Sequence, residues 1–158
     1  MAKRSAGILM YRLRKELEVL LVHPGGPYWR SRDNGAWTIP KGEVEEAEDP
    51  AAAARREFEE EVGTAAVGDL IPLGSVRQKA GKQVEGFAVE GDLDADAISS
   101  NSFSCEWPPR SGRFESFPEV DRASWFTVAD ARDKLIPAQW PLLDRLQEAL
   151  AGGGRTPA

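Results

Sequence analysis

Alternation of apolar and polar positions predicts most of the strands in this chain. Residues 6–12 and 18–23 are apolar runs separated by a short charged turn, so they predict a hairpin of two core strands. Ile71–Arg77 and Gln83–Glu90 alternate well enough to predict a second hairpin, joined by a glycine-containing turn. A further strand is predicted over residues 123–127.

A helix is predicted over Pro50–Val62. Asp49 is a favoured N-cap residue, proline suits the first helical position, and Gly63 is typical of a helix end. An apolar stripe runs along one face and consists of Ala51, Ala54, Phe58 and Val62. The adjoining face carries three glutamates at i, i+3 and i+4, namely Glu57, Glu60 and Glu61. One face is expected to pack on a sheet, and the other is available for chemistry.

The last part of the chain predicts two more helices. Residues 128–135 predict a short helix, and residues 138–150 predict an amphipathic helix that closes the fold. A chain of 158 residues suits a single domain with its own core. We expect that domain over residues 1–151 and a flexible C-terminal tail over residues 152–158.

Two long segments predict loops. Residues 24–35 contain Gly-Pro and Pro-Gly steps and an Asp-Asn-Gly turn. Residues 92–112 mix acidic, Ser, Asn and Pro residues with two aromatics, and their Glu-Trp-Pro-Pro stretch does not suit a central strand. Long ordered loops are often functional, which applies to residues 24–35. The loop at residues 92–112 is expected beside the site or over it. His23 ends an apolar strand, which favours a structural role over a catalytic one.

Composition places the protein among ordinary globular proteins. Hydrophobic residues make up 41% of the chain and charged residues 29%, which is too apolar for a disordered protein. No apolar run approaches the length of a transmembrane helix, and the first residues lack the apolar stretch of a signal peptide. The single cysteine excludes an intramolecular disulfide. We therefore expect a cytoplasmic protein that binds no membrane.

The net charge of −6 is concentrated in one segment. Residues 43–61 hold nine acidic and two basic residues, a balance of −7, so the rest of the chain carries +1. No basic stripe is present for duplex nucleic acid, which argues against that partner. Like charges on one helical face repel each other. A bound divalent cation would relieve that repulsion, and a small phosphorylated ligand is the expected partner.

The spacing of the acidic segment resembles the signature of the Nudix hydrolase family. Gly42 is followed by five residues and Glu48, and then by seven residues and the run Arg56-Glu57-Phe58-Glu59-Glu60-Glu61-Val62-Gly63. Thr64 stands where the family usually has a hydrophobic residue, which affects a packing position and no metal ligand.

The resemblance implies an α/β fold, an α/β/α sandwich around a mixed β-sheet in which a loop–helix–loop motif presents glutamates to divalent cations. It implies a pyrophosphohydrolase that splits a nucleoside diphosphate linked to another group. The implied metal ligands are Glu57, Glu60, Glu61 and the carbonyl of Gly42. Oxygen ligands suit Mg²⁺, with Mn²⁺ as a second choice.

The resemblance also implies roles for the neighbouring residues. Arg56 is expected to orient the glutamates, and Glu48 to tie the loop to the helix or to act through water. The general base stays open between two motif glutamates and two acids from later loops, namely Glu60, Glu57, Glu106 and Glu119.

Residues 37–42 resemble the Trp-x-x-Pro-Lys-Gly segment of dinucleoside polyphosphate hydrolases in this family. A dinucleoside polyphosphate is therefore the first expectation for the substrate. The expected phosphate contacts are Lys41, Arg30, Arg32, Lys79 and Lys82. The expected aromatic platforms for a base are Tyr28, Trp29, Phe103 and Trp107.

Other functions stay open beside this one. The chain could hydrolyse nucleoside triphosphates or nucleotide sugars, or it could be a nucleotide-binding sensor without catalysis. The intact set of motif glutamates argues against the sensor. A monomer and a homodimer are both compatible with the sequence.

Overall fold

A mixed six-stranded β-sheet lies at the centre of the fold. The computed structural model describes residues 4–78 and 81–155. The strands within these residues, in chain order, are β1 (Arg4–Leu13), β2 (Leu17–Pro24), β3 (Lys41–Glu43), β4 (Ile71–Arg77), β5 (Gln83–Glu90), β6 (Ser102–Glu106), β7 (Phe114–Pro118) and β8 (Val120–Thr127). The helices are α1 (Pro50–Val62), α2 (Val128–Lys134) and α3 (Trp140–Arg155).

The order of strands in the main sheet is β4-β5-β1-β2-β8, with β3 paired to β1. β1 and β5 run parallel along eight residue pairs, and the other neighbours are antiparallel. Both predicted hairpins are present, as β1–β2 and β4–β5. The parallel pairing of β1 with β5 joins the two hairpins into one sheet.

The segment that leads into the acidic helix lies between β1 and β2. These strands pair with each other only near their shared turn, and residues 37–43 occupy the gap that opens beyond it. Thr38 exchanges two backbone hydrogen bonds with Val22, at 2.9 and 3.0 Å. The Ile8 N–H donates to the Pro40 carbonyl at 3.1 Å. The start of the motif is therefore held by the sheet itself.

The sheet is buried on both faces. Successive residues of a strand point to opposite faces, so Leu9 packs in the core with α2 and α3, and Ile8 packs in the core with α1. The first core includes Val19, Leu21, Leu135, Leu142, Leu143 and Leu146. The second includes Met10, Leu20, Val22, Ala54, Phe58 and Val62. Helices on both faces of a mixed sheet confirm the predicted α/β/α sandwich.

The predicted bounds of α1 are confirmed at both ends. Asp49 Oδ2 accepts a hydrogen bond from the Ala52 N–H at 3.1 Å, as an N-cap does. Gly63 adopts a left-handed φ of 88°, and its N–H donates to the Glu59 carbonyl at 2.8 Å. Glycine takes this conformation without steric cost, so the helix ends where the sequence predicts.

The prediction that residues 92–112 form only a loop is wrong. They include β6, which pairs with β7 in a separate two-stranded ribbon that the sequence also did not predict. Most residues of this ribbon are exposed, so no apolar alternation marks it in the sequence. The strand does end at Glu106, before the Trp-Pro-Pro stretch.

The closing helix starts and ends later than predicted. A 3₁₀ turn at Pro137–Gln139 precedes α3, and α3 continues to Arg155 beyond the predicted end at residue 150. The division between a domain at residues 1–151 and a tail at residues 152–158 stays a prediction. No described helix is long and apolar enough to cross a membrane.

Candidate active site

The buried side of α1 presents Glu57 to the start of the motif. Only 8% of Glu57 is exposed, because its side chain lies directly against the backbone of Gly42. A Cβ on Gly42 would collide with the carboxyl and methylene groups of Glu57. Gly42 therefore provides the space that lets a glutamate occupy this position.

Arg56 joins the motif carboxylates. Its Nε and Nη2 donate to the two carboxylate oxygens of Glu48 at 2.9 and 3.0 Å, and its Nη1 donates to Glu57 at 2.8 Å and to Glu60 at 3.0 Å. Its Nη2 also donates to the Glu43 carbonyl at 3.0 Å. The hydrogen bonds from Arg56 lower the pKa of Glu48 to about 2. Arg56 thus ties the loop before α1 to two glutamates on the helix.

Glu61 lies at the other end of the cluster, beside Lys41. The Lys41 backbone N–H donates to Glu61 Oε1 at 3.3 Å. Burial raises the pKa of Glu61 to about 8, although the Lys41 charge opposes the shift. Burial also lowers the pKa of Lys41, and the charge of Lys82 lowers it further. Glu61 is therefore a carboxyl group in a poorly solvated position that one lysine does not fully neutralise.

The structure adds Glu119 to the motif glutamates. Burial raises the pKa of Glu119 first, and the charge of Glu60 raises it further. The Glu119 charge in turn raises the pKa values of Glu57 and Glu61. The Glu119 N–H donates to the Asn101 carbonyl at 2.7 Å, and the Asn101 N–H donates to the Glu60 carbonyl at 3.0 Å. The backbone thus links Glu119 to the end of α1.

Glu106, the other distant acid considered as a base, lies elsewhere. Its Oε2 accepts a hydrogen bond from the Gly112 N–H at 3.0 Å, in the turn between β6 and β7. It does not line the cavity that contains Glu61 and Glu119. The structure therefore favours Glu119 over Glu106 as a neighbour of the motif.

The cluster fits a hard divalent cation by its donor chemistry. Its side chains offer only carboxylate oxygens, and burial and mutual repulsion raise the pKa values of Glu57, Glu61 and Glu119. Within residues 4–78 and 81–155, no three acidic, histidine or cysteine side chains are spaced to hold an ion together. Glu57 and Glu60 instead accept hydrogen bonds from Arg56. In the described arrangement both carboxylates are therefore engaged by Arg56 and are not gathered around one point.

A cleft extends from the carboxylates to the loop at residues 24–35. One cavity of about 250 Å³ is lined by residues that include Lys41, Glu61, Glu119, Gln78 and Trp29. A second cavity of about 470 Å³ is lined by Trp29, Arg32, Gly35, Gln78, Ile136, Pro137 and Ala138. The two cavities share Trp29, Gln78 and Ile136, so they adjoin each other. Together these adjoining cavities, with acidic residues at one end, are called the groove.

Comparison with known families settles the assignment. A NUDIX domain model matches residues 1–146. The chain belongs to the Nudix family. Family membership and the observed sandwich confirm the resemblance seen in the sequence, the fold class and the assignment to a family of pyrophosphohydrolases.

Solved Nudix structures have the same fold. An Ap4A hydrolase from C. elegans, in a binary complex, superposes with a TM-score of 0.67 at 24% identity, over 94% of this chain and 98% of that chain. The NUDIX domain of Shewanella oneidensis NrtR, complexed with ADP ribose, gives a TM-score of 0.67 at 16% identity, over 95% and 89% of the two chains. At these identities the similarity concerns the fold.

Curated relatives match only a part of this Nudix chain. An RNA pyrophosphohydrolase from Caulobacter vibrioides is 41% identical over 59 residues, which is 34% of this chain and 34% of that protein. This chain therefore spans about a third of the length of the curated relatives that it matches.

Three predicted substrate contacts lie in the cleft of this Nudix protein. Lys41 lines the acidic end, and Trp29 and Arg32 line the other end. The Arg32 guanidinium lies 5.5 Å from the centre of the Trp29 ring. The hydrophobic pattern alone did not identify Gln78, which lines both cavities and accepts a hydrogen bond from the buried Gln139 at 3.0 Å.

The other predicted contacts lie away from these cavities or outside the described residues. The Trp107 ring packs edge-on against Tyr28 at 5.5 Å, and the Arg30 guanidinium lies 5.9 Å from the Trp107 ring centre. Neither Arg30 nor Trp107 lines the groove. Lys79 lies outside the described residues. The roles predicted for these residues stay predictions.

Replacing Gly42 is expected to move Glu57. In Gly42→Ala the new methyl group occupies the space of the Glu57 carboxylate, so that side chain has to turn away. We expect turnover to fall roughly tenfold to a hundredfold, the usual effect of disturbing the geometry around a metal ligand. The measurement is kcat with saturating Mg²⁺. The control is Ala52→Gly, on the exposed side of α1. Gly35→Ala would not serve as a control, because Gly35 has a φ of 74° that alanine adopts only with strain. Wild-type turnover in Gly42→Ala would contradict the predicted contact.

Magnesium binding is expected to weaken as pH falls. Without metal, the folded-state pKa of Glu61 is raised from 4.5 to about 8, so the folded protein retains a proton that the unfolded chain has lost. The contribution of Glu61 to the stability of the metal-free protein therefore decreases as pH rises through this window. Mg²⁺ requires the deprotonated carboxylate, so its affinity should be on the order of fiftyfold lower at pH 6 than at pH 8. Calorimetric titration with MgCl₂ measures this, and equal affinities at both pH values would contradict it.

Proposed function

We propose that this Nudix protein hydrolyses a phosphoanhydride bond in a nucleoside diphosphate-linked substrate with the help of Mg²⁺, and that a dinucleoside polyphosphate is the substrate. The observation that carries the proposal is the groove of adjoining cavities that extends from Glu61 and Glu119 past Trp29. Lys41 lies at its acidic end and Arg32 at the aromatic end. Cationic side chains near the carboxylates and an aromatic ring beyond them suit a polyphosphate linked to a base.

The residues that would hold Mg²⁺ are Glu57, Glu60, Glu61 and the Gly42 carbonyl. The cation would supply positive charge for the phosphate oxygens at the bond that breaks. Arg56 holds Glu57 and Glu60 on one side of the cluster, and Glu48 fixes Arg56 through a bidentate ion pair. Mn²⁺ accepts the same oxygen ligands and is the expected substitute.

Glu119 is the proposed general base. Its raised pKa makes it a stronger proton acceptor than an ordinary carboxylate. Glu57 and Glu60, the bases suggested by the motif, each accept a hydrogen bond from Arg56. By contrast, no residue of the ranges 4–78 and 81–155 donates a side-chain or backbone hydrogen bond to the Glu119 carboxylate. Its carboxylate is thus available to take a proton from the attacking water.

Lys41 and Arg32 are the proposed phosphate contacts. Lys41 is adjacent to Gly42 and opposite Glu61, which places its charge beside the cluster. Trp29 offers a partly exposed ring for a base, and stacking of this kind contributes roughly 1–3 kcal/mol per base. Arg30, Trp107 and Lys79 would contact the substrate only beyond this groove.

Product identification tests the proposal. Diadenosine tetraphosphate with MgCl₂ should yield AMP and ATP, because hydrolysis at one end of the chain is asymmetric. A nucleoside triphosphate pyrophosphatase would release pyrophosphate from ATP, and a nucleotide-sugar hydrolase would release AMP from ADP-ribose. The same assay should include RNA with a 5′-triphosphate, since the 59-residue match is to an RNA pyrophosphohydrolase. Faster turnover of any of these than of diadenosine tetraphosphate would overturn the substrate proposal.

A catalytically silent sensor is the alternative from another class. The NUDIX domain of NrtR is bound to ADP ribose in its structure, which shows that the fold can be crystallised with a nucleotide ligand. Nucleotide binding by calorimetry without turnover in MgCl₂ or MnCl₂ would support the sensor. A cytoplasmic location and a monomeric or homodimeric state stay predictions.

A further inference from the structure

The single histidine of the chain is fully buried and takes no part in the proposed chemistry. His23 is at the end of β2, where the loop of residues 24–35 begins, and none of its surface is exposed. Its ring packs edge-on against Trp37 at 5.2 Å between ring centres. This buried ring therefore lies at the base of the loop that carries Trp29 and Arg32.

Both ring nitrogens of His23 face hydrogen-bond acceptors. Nδ1 lies 2.8 Å from Oδ1 of Asp121 on β8. Nε2 lies 2.6 Å from the backbone carbonyl oxygen of Arg32 in the loop. A carbonyl and an ionised carboxylate can only accept hydrogen bonds. Both nitrogens of His23 therefore have to donate, and only the doubly protonated imidazolium has two N–H groups.

The surrounding charges are compatible with a buried imidazolium. Asp121 on β8 is its direct counter-ion, and the next residue, Arg122, lies 3.6 Å from the same Asp121 oxygen. The Arg122 guanidinium lies 5.3 Å from the Trp37 ring centre, on the ring that His23 contacts. Asp33 accepts from Trp37 Nε1 at 2.8 Å and pairs with Lys134 on α2 at 2.6 Å. A buried charge with a counter-ion and both donors satisfied meets the condition for such a group to be tolerated.

The hydrogen bond between His23 and the Arg32 carbonyl connects β2 to residues that line the cleft. The Arg32 N–H donates to the Trp29 carbonyl at 2.9 Å, so residues 29–32 form a hydrogen-bonded turn. Trp29 lines both cavities, and Arg32 lines the second. Trp29 and Glu61 line the same cavity, so the turn forms part of the wall of the cavity that contains Glu61. His23 and Asp121 connect the turn to β2 and β8 of the central sheet.

We propose that His23, held as an imidazolium by Asp121, is a positioning residue that fixes the turn of residues 29–32 as one wall of the substrate cleft. The inference rests on the proposed function for its consequence in binding, and on the described contacts for the charge and the attachment. His23 acts through Trp29 and Arg32 and touches no reacting atom. Its loss should therefore affect substrate affinity and leave the chemical step intact.

The charge of His23 can be observed directly. Because the chain has one histidine, long-range ¹H–¹⁵N spectra contain the ring signals of a single residue. At pH 7 we expect both ring nitrogens at the similar shifts of an imidazolium. In Asp121→Asn the carboxylate is gone, so the two nitrogens should move apart as in a neutral ring. Widely separated nitrogens in the wild-type protein would overturn the assigned charge.

The attachment of the loop is tested with His23→Gln and Asp121→Asn. Glutamine has a single amide nitrogen, which cannot reach both Asp121 and the Arg32 carbonyl as the two ring nitrogens of His23 do. We therefore expect faster amide hydrogen exchange in residues 24–35. With diadenosine tetraphosphate and MgCl₂, KM should rise roughly tenfold to a hundredfold, with kcat within about twofold. The matched control is Asp144→Asn, which removes the exposed ion pair with Arg132 and should change neither quantity.

These experiments distinguish a failure of the proposed function from a failure of the positioning role of His23. If the wild-type protein does not hydrolyse diadenosine tetraphosphate, the proposed function fails, while the spectra and the exchange data still decide the role of His23. An unchanged KM, a loss confined to kcat, or unchanged exchange in residues 24–35 would overturn the positioning role. If His23→Gln does not fold, Asp121→Asn and the wild-type spectra carry the test.

Discussion

Glu60→Gln and Glu61→Gln are each expected to abolish turnover while the fold stays intact. The amide is nearly the same size as the carboxylate but carries no charge, so the cluster loses one of the proposed ligands for Mg²⁺. We expect kcat to fall by about 10³-fold or more, since such enzymes depend on metal and carboxylate together. Steady-state turnover in MgCl₂ measures the loss, and circular dichroism measures the fold.

Glu59→Gln is the matched control for these variants. Glu59 lies between the other glutamates on α1, but its side chain is exposed. Its replacement changes the net charge by the same amount and should leave turnover within about twofold. Near-normal turnover in Glu60→Gln or Glu61→Gln would refute the assignment of the metal ligands. A similar loss in Glu59→Gln would indicate that only the total negative charge matters.

Arg56→Lys is also expected to lower activity strongly. Arg56 makes five hydrogen bonds, to the carboxylates of Glu48, Glu57 and Glu60 and to the Glu43 carbonyl. A lysine keeps the charge but has a single nitrogen, which cannot reach these groups together. We expect a tenfold to hundredfold loss in kcat or Mg²⁺ affinity, the usual effect of removing a residue that orients metal ligands. Turnover as a function of MgCl₂ concentration measures both quantities.

The neighbouring arginine is the control for Arg56. Arg55 lies on the same helix and donates to the carbonyls of Ala66 and Gly68, outside the site. Arg55→Lys therefore changes the same chemical group one position away. We expect its turnover and Mg²⁺ dependence to match the wild type. Equal losses in Arg55→Lys and Arg56→Lys would attribute the effect to the stability of α1.

Local signals in the sequence predicted the elements that depend on near neighbours. The bounds of α1 follow from Asp49 and Gly63, whose hydrogen bonds reach no further than one helical turn. The bounds of β4 and β5 follow from the alternation of their residues. The family signature falls within one such local unit, because its spacing is set by one helix and the loop before it.

Elements stabilised by distant contacts were less predictable. The ribbon of β6 and β7 is mostly exposed, so its pairing leaves no apolar pattern in the sequence. Glu119 could be named only as one of two distant acids until the structure showed its electrostatic coupling to Glu57, Glu60 and Glu61. Arg30 and Arg32 looked equivalent in the sequence, yet only Arg32 lines the groove.

The sequence by itself determined the helix that carries Glu57, Glu60 and Glu61, the strands that bury it, and the family to which the chain belongs. These depend on hydrogen bonds and periodicity over a few residues, which the order of side chains specifies. Only the tertiary structure decided which distant residues share a cavity with Glu61 of this helix, namely Glu119 and Trp29. It also decided that His23 contacts the loop that carries Trp29. Such meetings depend on where the sheet brings together residues up to about a hundred positions apart, as between His23 and Asp121, and no local pattern encodes them.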